Sequence, residues 1–507
     1  MFRRILIANR GEIAVRVIRT CRALGIETVA VHSDADAHAL HVALADQAIR
    51  IGPPSPAESY LSIAAIVDAA RQSGAEAIHP GYGFLSENPR FARACAEASI
   101  TFIGPPAPVI ERMGSKIAAR MTATRAGVPV VPGVTPSDQS DRAIASAAAE
   151  LGLPVLIKPS AGGGGIGMKT VRDRAALGEA IVQARREAVA AFGDGTLFVE
   201  RLVDRPRHVE FQVVADDHDH VVHLFERECS IQRRPQKIAE ESPSPALTPA
   251  LRRRMGDAAV ALARAAGYRN AGTVEFLLEG RGDEAAFYFL EMNTRLQVEH
   301  PVTEQVTGVD LVHAQLLVAA GEPLPWSQAA LAQHGHAIEV RVYAEDPSRG
   351  DLPQAGPLRL YREPSMPGIR VDAGVVEGDA IGVHYDPMMA KLIATGESRE
   401  DARGRALAAL RDFPILGIRT NVPFLIQLLG HPRFISGDID TGFLDTEGEA
   451  LRAASARPPT PDALAVAAHL RSHSSWPPEP GVADAADAAS DRRWRQDPWV
   501  ALRGVRV

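Results

Sequence analysis

The sequence predicts a mixed α/β and α+β protein, and three regions carry that prediction. At the start, residues 5–8 form a short apolar strand, residues 13–24 place apolar side chains at helical spacing, and residues 28–31 form the next strand. This β-α-β order is typical of an open parallel sheet. A glycine-rich loop at 161–168 lies between two extended segments, and short strands with Gly and Pro turns fill 337–393.

Length and composition narrow the class of protein. A chain of 507 residues suggests about three domains of ~150 residues each. The composition, 46% hydrophobic and 23% charged, is that of a soluble globular protein, and a net charge of −7 gives no support for a nucleic-acid partner. Cys21, Cys95 and Cys229 lie too far apart to indicate a metal site or a disulfide framework, which predicts a cytoplasmic protein. We identify no signal peptide or membrane span, because every apolar run is too short.

The first turn does not favour a nicotinamide site. Residues 9–12 (NRGE) lack the G-x-G-x-x-G spacing that dinucleotide sites use, although the surrounding pattern predicts an open parallel sheet. Further on, residues 79–88 (HPGYGFLSEN) form a glycine-rich loop with two aromatic side chains. From composition alone, a βα loop whose aromatic rings only pack against the protein is as good an interpretation as a functional loop.

The second region suggests a phosphate site. Ser115 is a plausible cap for a helix that starts at Lys116. Residues 153–158 form a strand that ends in Lys158, and the glycines of residues 161–168 allow consecutive N–H groups to approach phosphate oxygens. No Lys-Ser/Thr pair closes this loop, so it is not a P-loop. A flexible linker is the alternative interpretation.

Two strands near residue 280 carry the strongest signal. Residues 273–278 and 287–292 are apolar, yet Glu275 lies inside the first and Glu291 inside the second. Alternation places Asn293 on the same face as Glu291. An unpaired carboxylate inside an apolar strand is costly, and a bound Mg²⁺, which prefers carboxylate and amide oxygens, removes that cost.

The polar residues that follow extend this prediction. If the extended run continues, Arg295, Gln297 and Glu299 share the face of the metal ligands, which sets a cation, an amide and a candidate base beside a magnesium nucleotide. The alternative is a hairpin with a solvated, charged loop. Ionisable groups inside apolar strands favour the functional site.

Two further segments are ambiguous by themselves. The alternation over residues 208–213 (HVEFQV) predicts a strand with one wet or ligand-facing side. Residues 226–237 (ERECSIQRRPQK) form a dense charge run, which is usually a solvated loop.

Residues 289–304 (FLEMNTRLQVEHPVTE) closely resemble the core motif of biotin carboxylases, which belong to the ATP-grasp superfamily. The resemblance covers roughly residues 1–446. The other segments that fit it are 7–11 (IANRG), 79–88, Gly104-Pro105, 226–237, 384–392 and 417–421.

The resemblance implies three domains and a mobile lid. The domains are a Rossmann-like N-terminal domain at 1–115, an ATP-grasp domain at 116–330 with its lid at about 131–203, and a β-rich C-terminal biotin carboxylase domain at 331–446. Residues 447–507 are rich in Ala and Pro and form a tail or the start of a further domain.

The resemblance also implies a reaction, the ATP-dependent carboxylation of biotin by bicarbonate through carboxyphosphate. The expected cofactors are ATP and Mg²⁺ or Mn²⁺, with biotin as a carrier-bound substrate. No Met-Lys-Met biotin-attachment motif occurs, so we expect the carrier on another chain, unless this chain is a fragment. A carboxyltransferase subunit and a homodimer are expected partners. The alternatives are another ATP-grasp carboxylate–amine ligase and a non-catalytic nucleotide-binding subunit.

Residue roles follow from the same resemblance. Glu299 is the expected base for bicarbonate, and Arg341 is expected to stabilise the biotin enolate. Catalytic residues are Arg295, Glu299, Arg341 and Lys237. Bicarbonate and biotin contacts are Arg295, Gln297, Val298, Arg341 and Tyr82. Metal ligands are Glu275, Glu291 and Asn293. ATP contacts are Lys116, Lys158, Gly164, Gly165, Glu200, Arg201, Leu202, Val203, His208 and Gln232.

Three points stay open in the sequence. Ile166 and Pro235 depart from the family, which usually has a basic residue at the first position and often a polar one at the second. Arg341 either faces an anion or pairs with Glu339 on its own strand. The pKa of Glu299 depends on a balance between like charges, which raise it, and Arg295, which lowers it.

Overall fold

The computed structural model describes residues 1–160, 167–233, 236–456 and 465. The predicted ATP contacts Gly164 and Gly165, and the two departures Ile166 and Pro235, therefore lie outside the described residues. None of the helices in the described ranges combines the length and the hydropathy that a membrane span requires.

The N-terminal region is an open parallel sheet with helices between its strands. Its elements are β1 (Arg4–Ile7), α1 (Gly11–Ala23), β2 (Glu27–Ser33), α2 (Leu40–Leu44), β3 (Gln47–Gly52), α3 (Ile63–Ser73), β4 (Ala77–His79), α4 (Pro89–Glu97), β5 (Thr101–Phe102) and α5 (Ala107–Gly114). The strand order is β3-β2-β1-β4-β5. Ile5, Leu6 and Ile7 are fully buried, because a parallel sheet is covered on both faces. The predicted Rossmann-like sheet is confirmed.

A small antiparallel sheet follows, within the predicted lid. The elements from Lys116 onward are α6 (Lys116–Arg125), β6 (Gly133–Val134), α7 (Asp141–Leu151), β7 (Val155–Pro159), β8 (Lys169–Val171), α8 (Leu177–Phe192) and β9 (Leu197–Arg201). The strand order is β6-β9-β7-β8, and a cluster that includes Ile144, Val155, Ile181 and Val199 joins α7 and α8 to the sheet. As predicted, the side chain of Ser115 caps α6, where it accepts a hydrogen bond from the Ala118 N–H. Movement of this sheet stays a prediction.

The remaining strands and helices form a larger assembly. Its first elements are β10 (Arg207–Ala215), β11 (Val221–Arg233), β12 (Gln236–Ser242), α9 (Pro249–Ala265), β13 (Asn270–Glu279), β14 (Ala286–Asn293), α10 (His300–Thr307), α11 (Leu311–Ala319) and β15 (His336–Tyr343). Then come β16 (Glu345–Asp346), β17 (Leu352–Pro353), β18 (Gly356–Pro357), β19 (Leu360–Tyr361), β20 (Ile369–Ala373), β21 (Ala380–Ile381), β22 (Met388–Gly396), α12 (Arg399–Arg411), β23 (Ile415–Leu416), α13 (Val422–Leu429), α14 (Pro432–Ile435) and α15 (Phe443–Ser455).

Eight antiparallel strands of this assembly form one sheet, in the order β14-β13-β10-β11-β12-β15-β22-β20. Because β12 pairs with β15, the sheet runs without a break past residue 330, the predicted domain boundary. Val340, Leu392, Leu410, Leu425 and Phe443 belong to the core that packs α12, α13 and α15 against its C-terminal half. The short pairs β16-β17, β18-β21 and β19-β23 make this half rich in strands, as predicted.

Two points that the sequence left open near the site are decided by the structure. The strand β14 ends at Asn293 and a turn follows, so the extended run does not reach residue 299, and Glu299 is the N-cap of α10. Residues 226–233 of the charge run belong to the interior strand β11, on which Arg227 is fully buried, so the alternative of a solvated loop does not hold for them.

Candidate active site

One cavity of about 530 Å³ collects almost every residue that the sequence assigned to the site. Its walls come from the small antiparallel sheet and from the eight-stranded sheet. Tyr82 instead lines an adjoining cavity of about 650 Å³, which shares Arg295, Val298 and Arg341 with the first. The predicted residues in the first cavity are Lys116, Lys158, Glu200, Arg201, Leu202, Val203, His208, Gln232, Lys237, Glu275, Glu291, Asn293, Arg295, Gln297, Val298, Glu299 and Arg341.

Lys237 occupies the centre of a buried group of carboxylates. Its Nζ donates to Glu210, to Glu275 Oε1 at 3.0 Å and to Glu299 Oε1 at 2.6 Å. Burial by itself lowers the pKa of this lysine, but the three carboxylates outweigh burial and raise the pKa well above its usual value. Lys237 is therefore a fixed positive charge.

Glu299 lies between two cations at the start of α10. Besides Lys237, Arg341 Nη2 donates to Glu299 Oε2 at 2.8 Å. Burial raises the pKa of Glu299, but Lys237, Arg341 and Arg227 together hold it well below the usual range. The balance that the sequence left open is thus decided in favour of the carboxylate form at neutral pH.

Arg341 does not pair with Glu339. Its Nε donates to Glu240 Oε1 at 2.7 Å, while its Nη2 bonds Glu299. Both carboxylate oxygens of Glu339 are buried and lack a hydrogen-bond partner among the described residues. Burial raises the pKa of Glu339 well above its usual value.

The predicted metal ligands adjoin the group of carboxylates around Lys237, because Glu275 belongs to both. Glu275 on β13 is directly opposite Glu291 on β14, and Asn293 Nδ2 donates to Glu275 Oε1 at 2.7 Å. Among the described residues none donates a hydrogen bond to Glu291, and burial followed by repulsion from Glu275 raises its pKa. Two facing carboxylates and an amide oxygen fit Mg²⁺, which would offset that repulsion.

A second group of potential ligands fits a cation less well. His208, Glu210 and Glu275 place ligand atoms within 4.8 Å of one another. However, Arg227 Nε donates to Glu210 Oε1 at 2.6 Å, Lys237 bonds the other oxygen, and Lys237 also bonds Glu275. The first group differs because it adds Glu291, a carboxylate that accepts no hydrogen bond from a described residue. Mg²⁺ also prefers oxygen to imidazole nitrogen.

The predicted nucleotide contacts surround the part of the cavity nearest the small sheet. Glu200 accepts from Lys158 and, at 2.6 Å, from Arg120 Nη1. Lys116 is partly buried, and burial lowers its pKa. The guanidinium of Arg201 faces away, toward Glu279 at 2.8 and 3.0 Å, which leaves its backbone on the cavity side.

Arg295 and Gln297 connect the turn after β14 to other parts of the chain. Arg295 Nε donates to Glu87 Oε2 at 2.9 Å, so the turn contacts the N-terminal loop 79–88. Gln297 Nε2 donates to Glu275 Oε1 at 2.8 Å, and its Oε1 accepts from Arg227 Nη2 at 2.7 Å.

Four residues of this network carried no role in the sequence analysis, namely Glu87, Glu210, Arg227 and Glu240. Arg227 has the most contacts, since it donates to five side chains from β10, β13, α10 and the turn before α10. Its neighbours in sequence are charged, and this pattern is typical of exposed loops. The signal in the sequence that could have indicated burial of Arg227 was its alternation with Cys229 and Ile231 along one face of a strand.

Comparison with known families matches three parts of the chain. Residues 1–110 match "Biotin carboxylase, N-terminal domain", residues 115–327 match "Carbamoyl-phosphate synthase L chain, ATP binding domain", and residues 339–446 match "Biotin carboxylase C-terminal domain".

Two relatives show how the chain compares in length. A biotin carboxylase of Halalkalibacterium halodurans is 53% identical over 444 residues, which is 88% of this chain and 97% of that protein. The mitochondrial methylcrotonoyl-CoA carboxylase subunit alpha of Glycine max is 52% identical over 448 residues, again 88% of this chain but 61% of the relative.

Solved structures agree with the fold. The biotin carboxylase domain dimer of Hydrogenobacter thermophilus 2-oxoglutarate carboxylase, in complex with MgADP, ADP and bicarbonate, has a TM-score of 0.84 at 45% identity and covers 89% of this chain and 99% of its own. A biotin carboxylase complex with β-γ-ATP from Campylobacter jejuni has a TM-score of 0.85 at 42% identity and covers 88% and 99%.

Proposed function

The chain belongs to the biotin carboxylase family, and from this membership we propose the role of each part of its site in the ATP-dependent carboxylation of biotin by bicarbonate. One observation carries the proposal: the Glu299 carboxylate is held between Lys237 and Arg341, in a cavity that also contains Lys116, Lys158 and two facing carboxylates. This arrangement brings together a base, an anion site and a nucleotide site.

Glu299 is the general base that removes the proton of bicarbonate. The bicarbonate then attacks the terminal phosphoryl group of ATP, forming carboxyphosphate and ADP. Arg295, Gln297 and Val298 border the anion. A cation beside the anion stabilises charge on the transferring group, and such preorganised electrostatics is usually the largest catalytic effect.

Lys237 links the base to the phosphate. In the structure its ammonium lowers the pKa of Glu299. When a phosphate oxygen accepts one of the hydrogen bonds of Lys237, Glu299 loses part of this stabilisation and becomes a stronger base. Nucleotide binding therefore prepares the base for bicarbonate.

Magnesium is held by Glu275, Glu291 and Asn293 in this proposal. When bound, it neutralises charge on the phosphate groups and orients them. The small antiparallel sheet is the lid, with Lys158, Glu200 and the 201–203 hinge on the nucleotide. Tyr82 and Arg341 face biotin, with Arg341 stabilising its enolate.

The proposed partners are a biotin carrier on another chain and a carboxyltransferase. The 61% coverage of the Glycine max subunit supports this, because the relative has length beyond the part that matches. A homodimer is also proposed, and the dimer named for the Hydrogenobacter thermophilus domain supports it. The three cysteines are buried free thiols, which suits a reducing compartment such as the cytoplasm.

ATP cleavage assays test the function directly. We expect free biotin and bicarbonate together to stimulate release of phosphate, and amino acids or other amines to have no effect. Stimulation by an amine would favour a carboxylate–amine ligase instead. Nucleotide binding without turnover under any of these conditions would favour a non-catalytic subunit.

A further inference from the structure

A fully buried lysine behind the cavity contacts the turn that carries Glu299. Lys391 lies on β22, is 0% exposed, and is paired in register with Arg341 on β15. Directly paired residues of antiparallel strands project from the same face of the sheet. The two cations therefore approach the same turn from neighbouring strands.

These cations hold two consecutive residues in different ways. Arg341 bonds the side chain of Glu299, whereas Lys391 Nζ donates to the backbone carbonyl of Val298 at 2.7 Å. Because a peptide unit is planar, a bond to the Val298 oxygen also fixes the direction of the Glu299 N–H. It thereby fixes the point from which the Glu299 side chain starts.

We propose that Lys391 is a positioning residue, which orients the peptide between Val298 and Glu299 so that the base and the anion site keep their relative geometry. The inference rests on the proposed function. The resemblance in sequence assigns Lys391 no role. Lys391 is also not among the residues that line the cavity, because it lies behind the turn.

The surroundings of Lys391 supply its counter-charges from two other regions. Its Nζ lies 3.4 Å from Glu12 Oε2 at the start of α1 and 4.0 Å from Asp372 Oδ2 on β20. Both carboxyl groups are buried. One ammonium group thus connects the N-terminal region, the turn before α10 and the C-terminal half of the large sheet.

A purely structural role would give a different result on mutation. A buried ammonium is costly unless it is paired and hydrogen-bonded, so Lys391 could serve only to neutralise Glu12 and Asp372. In that case removal of the Glu12 charge together with the lysine would restore both stability and activity. A positioning role predicts that stability returns while the defect toward bicarbonate remains.

The test compares Lys391→Met with the double variant Glu12→Gln/Lys391→Met in the whole chain. The measurements are the KM for bicarbonate, the KM for MgATP and kcat in biotin-dependent ATP cleavage, together with the thermal unfolding midpoint. We expect kcat/KM for bicarbonate to fall about tenfold or more in both variants, because a displacement of about 1 Å can cost about a hundredfold. The KM for MgATP should stay unchanged, and the double variant should unfold at a higher temperature than Lys391→Met.

Arg399→Met is the matched control. Arg399 also bonds a buried carboxylate, Glu241, at 2.9 Å, and a backbone carbonyl, that of Phe434, at 2.8 Å, but it lies away from the turn. We expect its unfolding midpoint to fall while its kinetic constants for bicarbonate stay unchanged.

Two outcomes overturn this inference but leave the proposed function intact. They are normal bicarbonate kinetics in Lys391→Met, or recovery of those kinetics in the double variant. A wild-type chain without bicarbonate-dependent turnover overturns the proposed function, and this inference with it.

Discussion

The two ends of the cavity differ in how completely their charges are paired. At the lysine end, Lys237 bonds three carboxylates, and Arg341 bonds both Glu240 and Glu299. At the end proposed for magnesium (the magnesium end), the side chains of Glu291 and Lys116 form no hydrogen bond or close ion pair with any described residue, and burial is the main cause of both pKa shifts.

This difference separates a rigid part of the site from a part that ligands complete. Buried charges that are fully bonded hold one geometry, which suits the base and the anion site. Partly buried charges without partners gain the most from a ligand of opposite charge. The lysine end should therefore control both stability and chemistry, whereas the magnesium end should control affinity for the magnesium nucleotide.

Substitution of Glu299, the proposed base, should have the largest effect on turnover. In Glu299→Gln the amide cannot remove a proton from bicarbonate, and general-base catalysis is worth about a hundredfold to ten-thousandfold. We expect bicarbonate-dependent ATP cleavage to fall by that factor, while calorimetry shows nucleotide binding within about twofold of wild type. A Glu299→Gln enzyme with normal turnover would exclude Glu299 as the base.

Two lysine variants compare the ends directly. Lys237→Gln leaves Glu210, Glu275 and Glu299 without their shared cation, and loss of one partner from a buried pair costs about 3–5 kcal/mol. Lys116→Gln removes a charge that has no bonded partner among the described residues, so its unfolding free energy should change by less than about 0.5 kcal/mol. Urea denaturation checks both values. Equal destabilisation by the two variants would contradict the distinction between the ends.

Although Lys116 should contribute little to the unfolding free energy, it should contribute strongly to nucleotide affinity. We expect Lys116→Gln to weaken binding of MgADP by about tenfold to a hundredfold, since a charge-assisted bond to phosphate is worth about 1.5–3 kcal/mol. Titration calorimetry measures this, and unchanged affinity would remove Lys116 from the phosphate site.

Glu12, a buried carboxyl at the start of α1 that lines the adjoining cavity, gives a pH test. Burial raises its pKa from 4.5 to about 7, despite the opposing effect of Lys391. A raised pKa in the folded state means that the contribution of Glu12 to stability is complete below pH 4.5 and is lost as the pH rises through 7. Glu12→Gln should therefore gain stability relative to wild type between pH 5 and pH 8, by on the order of 3 kcal/mol at about 1.4 kcal/mol per pKa unit.

Denaturation midpoints at both pH values measure this difference. The exposed Glu284→Gln variant is the control, and we expect it to follow the wild-type pH profile. A Glu12→Gln profile parallel to that of wild type would show that Glu12 keeps the same pKa in the folded and unfolded states.

The smallest effect is expected at the proposed metal site. Glu291→Gln removes one of two facing carboxylates, so the Mg²⁺ concentration that gives half-maximal activity should rise about tenfold, equivalent to about 1.4 kcal/mol. Stability without Mg²⁺ should not fall, because the substitution also removes the repulsion from Glu275. A clear loss of stability would show that Glu291 is paired in solution, in conflict with the structure.

Much of the site was accessible from local sequence. Glu275 and Glu291 were recognisable because each interrupts an apolar strand, and both strands formed close to the predicted bounds. The specific roles of Glu299 toward bicarbonate and of Arg341 toward biotin depended on the resemblance to a family, since local pattern offered only a candidate base and a cation within a strand. Whether the extended run continues beyond Asn293 was left conditional in the sequence, because polar residues also alternate in an irregular turn in which each side chain has its own hydrogen-bond partner.

The sequence by itself determined the features that depend on neighbours along the chain. These are the order of strands and helices, the cap at Ser115 and the carboxylates within apolar strands. The tertiary structure alone decided which charges meet. Lys237 bonds carboxylates from β10, β13 and the start of α10, and Lys391 joins the turn to residues of α1 and β20. The pKa of a buried group depends on charges within a few ångströms in space, and those charges come from segments that are distant in sequence.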